Sequence, residues 1–308
     1  MGLGIAAIQN MLELYQQGVF SDTRKVVEMG SQEVHLKEAD FEELIKIAGV
    51  TNYDRDNFLN LNNWPKRPRC SSKAFYQMLG MEEYYSLDFN TDMGSIPHDY
   101  NLPFEDTSLL SQFDLVTDHG ACEHAFNIGE AYRTMHRLCK PNGLIIIAQM
   151  LWGGNGYFLY DKCFFEGIAA ANNYKILFSS YVVATGSKTK NGSDLQFHIP
   201  INRDLLNTIN LNSVPGIGVY AVLEKQVDAD FQFPYQNQYF SEQQGHLGFN
   251  RFFYRDPPSY SYIPTANTLT GEGIKGRLLV KLVIQKIKLH VKLVIQKIKQ
   301  RVSSIFLK

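Results

Sequence analysis

The chain has 308 residues, of which 44% are hydrophobic, and 30 basic against 31 acidic residues give it a net charge of −1. This length and composition are those of a globular protein with one α/β domain plus additions, or with two small domains. Its four cysteines lack C-x-x-C spacing, which argues against a metal site and a disulfide framework and favours a reducing compartment.

The first third of the chain alternates helices with short strands. Apolar periodicity predicts helices over residues 3–18, 38–48 and 73–80, and short buried strands over residues 25–30 and 84–88. Acidic residues stand at or next to the carboxyl ends of both predicted strands. The pattern is typical of α/β proteins that bind ligands at one edge of a sheet.

The middle of the chain predicts a βαβ unit. A strand begins at Phe113, a short loop contains Glu123 and His124, a helix covers residues 127–139, and a second strand covers residues 144–147. A helix that joins two apolar strands implies that the strands are parallel. A further helix at 160–173 precedes two β-rich segments, 174–183 and 216–223, which could form a final antiparallel pair. We therefore predict an open, doubly wound α/β sheet.

Two stretches of the chain, the βαβ unit and a segment shortly before it, resemble class I S-adenosylmethionine (SAM) dependent methyltransferases. In that family an F-D-x-V strand is followed by a Glu-His pair, a helix and L-x-K-P-G-G; here the last element is Leu-Cys-Lys-Pro-Asn-Gly at 138–143. Residues 98–106, HDYNLPFED, resemble the family's D-x-x-x-L-P-F segment. The resemblance covers residues 25–185. It implies a Rossmann-like methyltransferase fold with a mostly parallel seven-stranded sheet, SAM as cofactor, and methyl transfer as the reaction.

The same resemblance implies the cofactor-binding residues. Glu28 and Gly30 correspond to the opening of the family's glycine loop, and Asp88 to the carboxylate that binds the ribose hydroxyls. Asp99 corresponds to the acid that contacts the adenine amine. Asp118 opens the loop after the fourth strand and completes the predicted cofactor set.

The glycine loop departs from the family pattern but still helps to choose the cofactor. It reads Glu-Met-Gly-Ser-Gln-Glu-Val over residues 28–34, with only the first glycine kept. In NAD binders, later glycines let a pyrophosphate approach the backbone. An acidic Glu33 near this loop would oppose a pyrophosphate, whereas SAM carries a sulfonium and no phosphate. A nucleotide-binding oxidoreductase, a sugar-nucleotide enzyme and a non-catalytic relative of the methyltransferases remain as alternatives.

Catalytic and acceptor-binding residues are predicted in the loops after the fourth and fifth strands. His119 and His124 are candidate bases, since histidine exchanges protons near neutral pH. The resemblance implies that the pair of Glu123 and His124 mainly packs and orients its loop. Trp152 and Tyr157 are candidate contacts of a small-molecule or glycan acceptor.

The carboxyl-terminal segment differs in charge from the rest. Residues 275–308 contain ten of the 30 basic residues and none of the 31 acidic ones, which leaves a net charge of −11 on the remainder. The nonapeptide VKLVIQKIK begins at Val280 and again at Val291. This spacing of three helical turns predicts a basic amphipathic helix, for an anionic membrane surface or for self-association.

The predicted organisation is therefore a SAM-binding methyltransferase domain at 1–224, an irregular aromatic and polar extension at 225–274, and the basic tail at 275–308. We expect no nucleic-acid partner, because the body is acidic and no recognition motif accompanies the tail. No signal peptide or membrane-spanning stretch is evident, which predicts a cytoplasmic protein, or one peripheral to a membrane.

Overall fold

The computed structural model describes residues 2–235, apart from 202–205 and 208. These residues belong to the first of two compact units, residues 1–264, and the second unit is 265–308. The predicted basic helix and residues 236–274 of the predicted extension lie outside the described residues.

Ten strands and five helices are described, and short 3-10 turns connect several of them. The strands are β1 Gly2–Leu3, β2 Lys25–Met29, β3 Glu33–Val34, β4 Glu83–Asp88, β5 Ile96–Pro97, β6 Phe113–His119, β7 Cys139–Trp152, β8 Tyr174–Lys188, β9 Asp194–Pro200 and β10 Gly216–Lys225. The helices are α1 Ile5–Gln16, α2 Glu38–Ile47, α3 Lys73–Met78, α4 Ile128–Leu138 and α5 Lys162–Ala171.

Eight of the strands form one sheet in the order β5-β4-β2-β6-β7-β10-β8-β9. The five strands from β5 to β7 are mutually parallel, whereas β10 runs antiparallel to both β7 and β8. From β2 the chain first adds strands on one side and then returns to add β6 and β7 on the other. The strand order therefore reverses between β2 and β6, where doubly wound sheets bind ligands.

Both faces of the sheet are covered, so every residue of the central strand β6 is buried, its polar residues included. Alternate residues of β2 and β6 enter different cores. Val26 and Leu115 pack with α1, α2 and α3, whereas Val27 and Val116 pack with α4 and α5. Burying each such side chain contributes roughly 1.5–3 kcal/mol.

The predicted doubly wound, mostly parallel sheet is confirmed, with one additional strand. Residues 194–200, which lie between the two segments predicted as β-rich, form the edge strand β9 against β8. Its interior residues are half-buried, because an edge strand has one covered face and one partner. The predicted antiparallel pair is β8 and β10, and the predicted turn at 140–143 is an irregularity within β7, where Asn142 has a φ of 61°.

The segment after β10 runs along the face of the sheet that α4 and α5 cover. Lys225 is fully buried at the end of β10, and its Nζ donates to the carbonyl oxygens of His136 at 3.0 Å and Cys139 at 2.8 Å. Both carbonyls lie at or next to the carboxyl end of α4, where helix carbonyls have no intrahelical donor. Further along, Gln232 exchanges hydrogen bonds with Asn172, next to α5.

Candidate functional site

A cavity of about 470 Å³ lies at the carboxyl edge of the parallel strands, beside the point where the strand order reverses. Its size is within the range of sites for small ligands. The lining comes from residues 30–32 after β2, Asp88 and Phe89 at the end of β4, residues 98–101 after β5, Ala121, His124 and Ala125 after β6, and Asn155 after β7.

Gly30 makes the turn that opens the cavity. Its φ is +89°, and a Cβ atom there would lie 2.7 Å from Gln32 Nε2 and 3.0 Å from the Cβ of Ala121. Its N–H donates to the carbonyl of Leu87, at 2.6 Å, which joins β2 to β4. Both the backbone conformation and the lack of space require glycine here.

Asp88 connects the end of β4 to the Gly30 turn. Its Oδ2 accepts hydrogen bonds from the backbone N–H of Ser31, at 2.7 Å, and from the Ser31 hydroxyl. Among the described residues, its Oδ1 has only a long contact of 3.5 Å, to the N–H of Asn90. One carboxylate oxygen is therefore fixed, and the other can accept hydrogen bonds from a ligand.

Asp99 is oriented by its own loop. Its Oδ1 accepts hydrogen bonds from the backbone and side-chain nitrogens of Asn101, which hold the pKa of the carboxyl below its usual value. Asn101 in turn accepts hydrogen bonds from Asn127, at 2.8 Å and 3.0 Å, at the start of α4. The loop after β5 is thus attached to the helix that follows β6.

The cavity has an acidic character. Asp88 and Asp99 line it, and the lining residues include no lysine or arginine within the part of the chain that the structure describes. Burial lowers the pKa of His98 and of His124, so both histidines are neutral at neutral pH. The lining therefore favours a cationic ligand over a phosphate.

Glu33 contributes less to this selectivity than its sequence position predicts. Its carboxylate pairs with Arg69 at 2.7 Å, and it does not line the cavity. Because Arg69 neutralises that charge, the acidic character of the site comes from Asp88 and Asp99.

Two predicted cofactor residues, Glu28 and Asp118, are fully buried and lie outside the cavity lining. Glu28 Oε2 accepts from the hydroxyls of Ser72 and Tyr84, and burial raises its pKa to about 7. Asp118 Oδ1 accepts from the backbone N–H groups of Ala121, at 2.8 Å, and Cys122, at 3.2 Å, and burial raises its pKa. Asp118 thus holds the loop after β6, whereas Glu28 connects β2 to β4 and to the residue before α3.

The two candidate bases lie in different surroundings. His124 lines the cavity with a half-exposed side chain, and its Nε2 is 3.8 Å from Glu123. His119 is buried against the Tyr220 ring, outside the lining, and burial lowers its pKa to about 4. Of the two, only His124 faces a ligand in the cavity.

Glu123 joins the loops after β6 and β7. Its Oε2 accepts from the N–H of Met150, at 3.3 Å, and its carbonyl accepts from the N–H of Tyr157, at 2.9 Å. A Cβ atom on Gly156 would lie 2.7 Å from Glu123 Cγ, so the two loops touch. Burial raises the pKa of Glu123 to about 7. Trp152 and Tyr157 are exposed near these loops and do not line the cavity.

Sequence reasoning did not identify several residues of the lining. His98, Ser31, Phe89, Asn101 and Asn155 all face the cavity. The sequence signal for His98 and Asn101 was their position close to Asp99, in the loop after β5. Phe89 directly follows Asp88, so a rule that includes the neighbours of strand ends would have found it.

Residues 77–147 match the family model described as a methyltransferase domain. This segment contains Asp88, Asp99 and the loop with His124, and it lies on the sheet whose order reverses at the cavity. Residues 77–147 accordingly carry a methyltransferase domain, on a sheet with a Rossmann-like fold. SAM is its expected cofactor, as predicted.

Solved structures of methyltransferases resemble the chain at low sequence identity. TehB from Haemophilus influenzae has 8% identity and a TM-score of 0.38, with 70% of this chain and 62% of that chain covered. A SAM-dependent methyltransferase from Archaeoglobus fulgidus has 13% identity and a TM-score of 0.35, with coverage of 71% and 93%. The 1,6-didemethyltoxoflavin-N1-methyltransferase of Burkholderia thailandensis has 9% identity and a TM-score of 0.32, with coverage of 72% and 80%. No curated protein matches the sequence.

The described residues lack two other kinds of feature, a membrane-spanning helix and a metal-binding cluster. None of their helices combines the length and apolar character that a bilayer crossing requires. They also contain no group of three or more His, Cys, Asp or Glu side chains arranged to hold a metal ion.

Proposed function

We propose that the cavity binds SAM and that the chain transfers its methyl group to a small-molecule acceptor. One observation carries the proposal: the cavity brings together the Gly30 turn, Asp88 and Asp99 without a basic side chain in its described lining. The free Oδ1 of Asp88 is suited to the ribose hydroxyls. Asp99, held by Asn101, is suited to the adenine amine.

The chemistry of the lining fits this cofactor better than a dinucleotide. A pyrophosphate needs basic side chains or free backbone N–H groups, and the N–H of Gly30 is already bonded to Leu87. When bound, SAM supplies a methyl group that moves from its sulfur to an acceptor atom, leaving S-adenosylhomocysteine and releasing a proton if that atom carried one. The domain match also favours a methyltransferase over an oxidoreductase or a sugar-nucleotide enzyme.

The chain itself has two tasks in such a reaction, which are alignment of the acceptor and removal of its proton. We assign proton removal to His124, because it lines the cavity and burial keeps it neutral and able to accept a proton. Glu123, 3.8 Å away, would stabilise the protonated imidazole. His119 is the less suitable base, since it is buried beside Tyr220 and would need a path to the acceptor.

The acceptor is a small molecule, with a glycan as the alternative from sequence. Tyr157 and Trp152, exposed near the loop after β7, are proposed to contact it. The acceptor atom is an oxygen or nitrogen if His124 takes a proton from it. The basic tail lies outside the described residues, and its binding to an anionic membrane or to a second copy remains a proposal.

The cofactor assignment is tested by calorimetric titration of the full chain with SAM, S-adenosylhomocysteine, NAD and NADP. We expect micromolar binding of both sulfur compounds. Asp88→Ala should weaken it by about 10- to 100-fold, which is the usual range for losing a hydrogen bond to a charged group.

Asp92→Ala is the matched control, because Asp92 lies in the same β4–β5 connection, is exposed, and does not line the cavity. Binding by this variant should equal that of the unchanged chain. Tight NAD binding would support the oxidoreductase alternative. Failure of a folded chain to bind either sulfur compound would point to a non-catalytic relative.

A further inference from the structure

Two exposed aromatic side chains stand at the β6–β7 side of the cavity. Phe126 directly follows Ala125, and Tyr157 comes two residues after Asn155; both Ala125 and Asn155 line the cavity. Phe126 is 76% exposed and Tyr157 is 74% exposed. Large aromatic side chains bury 150–250 Å² when covered, so such exposure beside a ligand cavity marks a surface for binding.

The two rings form a corner. Their centroids are 6.1 Å apart and their planes meet at 88°, so the edge of one ring points at the other. We refer to Phe126 and Tyr157 together as the aromatic corner. A flat ring that enters it can stack on one side chain and meet the other edge to face, which are the two arrangements that aromatic pairs prefer.

The backbone on both sides of the aromatic corner is fixed by hydrogen bonds. The N–H of Tyr157 donates to the carbonyl of Glu123 at 2.9 Å, and Asn127, next to Phe126, donates to Asn101 at 2.8 Å. The two rings are therefore presented by connected loops, which limits the entropy lost when a ligand binds.

The surroundings of the aromatic corner restrict the polarity of that ligand. On this side of the cavity, the described lining offers polar side-chain atoms only from His124 and Asn155, with no lysine or arginine. An anionic acceptor would find no counter-charge and would face Asp88 and Asp99. A sugar ring would bring several hydroxyl groups, and each one removed from water without a partner costs about 1–3 kcal/mol.

We propose that the aromatic corner selects a neutral, planar aromatic acceptor that carries one or two polar atoms, one of them directed toward His124. This inference rests on the proposed function, because it places the acceptor beside a bound cofactor. It narrows the acceptor from small molecules and glycans in general to aromatic rings, and it assigns a recognition role to Phe126.

The test uses the full chain saturated with S-adenosylhomocysteine and three probes, 2-naphthol, its saturated analogue 2-decalol, and methyl β-glucoside, with affinity measured by calorimetry or ligand-observed NMR. We expect 2-naphthol to bind at least about 10-fold more tightly than 2-decalol. Phe126→Ala and Tyr157→Ala should each weaken 2-naphthol binding by about 3- to 10-fold, which corresponds to the loss of one aromatic contact.

Two controls match these variants. Tyr157→Phe keeps the ring and should bind 2-naphthol as the unchanged chain does. Leu59→Ala removes an apolar side chain of similar exposure, 68%, in the connection between α2 and α3, and should also have no effect. The affinity for S-adenosylhomocysteine should stay the same in every variant.

Three results would overturn the inference. The first is equal affinity for 2-naphthol and 2-decalol. The second is an affinity for 2-naphthol that is unchanged in both Phe126→Ala and Tyr157→Ala. The third is binding of methyl β-glucoside that these two substitutions weaken. If S-adenosylhomocysteine binds and the ring dependence is absent, only this inference fails. If S-adenosylhomocysteine does not bind at all, the proposed function fails and this inference with it.

Discussion

Glu28 places a carboxyl group in the centre of the sheet, on β2, whose other buried residues are apolar. Its Oε2 accepts two hydroxyl hydrogen bonds, whereas Oε1 is buried without a partner among the described residues. Burial disfavours the charged form, which is why its pKa rises to about 7. The carboxyl is therefore protonated in mildly acidic solution and loses its proton near neutral pH.

This pKa predicts how stability depends on pH. A carboxyl whose pKa is higher in the folded state binds its proton more tightly there, so the free energy of unfolding falls as pH rises from about 5 to about 7. Glu28→Gln should match the unchanged chain at pH 5 and exceed it at pH 8 by up to about 3 kcal/mol, the free energy of a shift from 4.5 to about 7.

Denaturant unfolding at the two pH values measures this difference. Glu123 has a similarly raised pKa, and comparing Glu28→Gln with the unchanged chain removes its contribution. An equal difference between the two proteins at pH 5 and pH 8 would contradict the assignment.

The same residue shows how far sequence reasoning about the site could go. Strand ends were recognisable, and the rule that ligands bind there led to Gly30, Asp88 and Asp99, which all line the cavity. It also included Glu28 and Asp118, because a sequence does not show that their oxygens already accept hydrogen bonds from Ser72, Tyr84 or the loop after β6. Phe126 was not identified, because a single aromatic residue in a loop carries no signal of exposure.

At the scale of elements, the end of α4 depends on a residue from a distant strand. Lys225 of β10 reaches the carbonyl oxygens of His136 and Cys139 and also pairs with Asp228 at 3.2 Å. The helix therefore ends without the glycine that commonly closes helices. Because Asn127 stands at the other end of α4 and bonds to the cavity residue Asn101, this contact links β10 to a helix that borders the site.

Replacing this lysine should destabilise the fold. Lys225→Met keeps an unbranched apolar chain but leaves two buried carbonyls without a donor, at a cost of about 2–5 kcal/mol. Lys175→Met is the matched control, since Lys175 is half-exposed and its contact with Glu224, at 3.8 Å, should contribute less than about 1 kcal/mol. Equal losses in chemical denaturation of the two variants would contradict this account.

Elements with strong periodicity were predictable and short or edge elements were not. The five helices agree with the sequence prediction, and so do β2, β4, β6 and the centre of β7, because these strands are rich in β-branched or aromatic residues. The edge strand β9 has the composition of a loop, since only one of its faces is covered. The two-residue strands β1 and β3 are too short to produce a period.

At the scale of the whole molecule, an acidic body precedes a basic carboxyl-terminal segment. The acidic cavity belongs to the body, and the repeated nonapeptide belongs to residues 275–308, outside the described residues. The two parts carry opposite net charges, so we expect salt to change the binding of each part to its partners differently. Any partner of the basic segment is therefore expected to be anionic or a second copy of the same segment.

Sedimentation with lipid vesicles tests the membrane alternative. The full chain should sediment with phosphatidylserine-containing vesicles at low salt, less so at high salt, and not with neutral vesicles. A chain that ends at residue 274 should remain in the supernatant. Equal partitioning of the two chains would contradict membrane binding, and salt-independent self-association of the full chain would favour oligomerisation.

Hydrogen bonds of Asn101 connect the part of the site that contains Asp99 to the part that contains the aromatic corner. Asn101 orients Asp99 and holds Asn127, the neighbour of Phe126. We therefore expect a ligand that engages Asp99 to affect the backbone that presents the aromatic corner, which would couple the two halves of the site. By reciprocity, whichever molecule arrives first raises or lowers the affinity for the second by the same factor. Titration of 2-naphthol with and without S-adenosylhomocysteine should measure this factor.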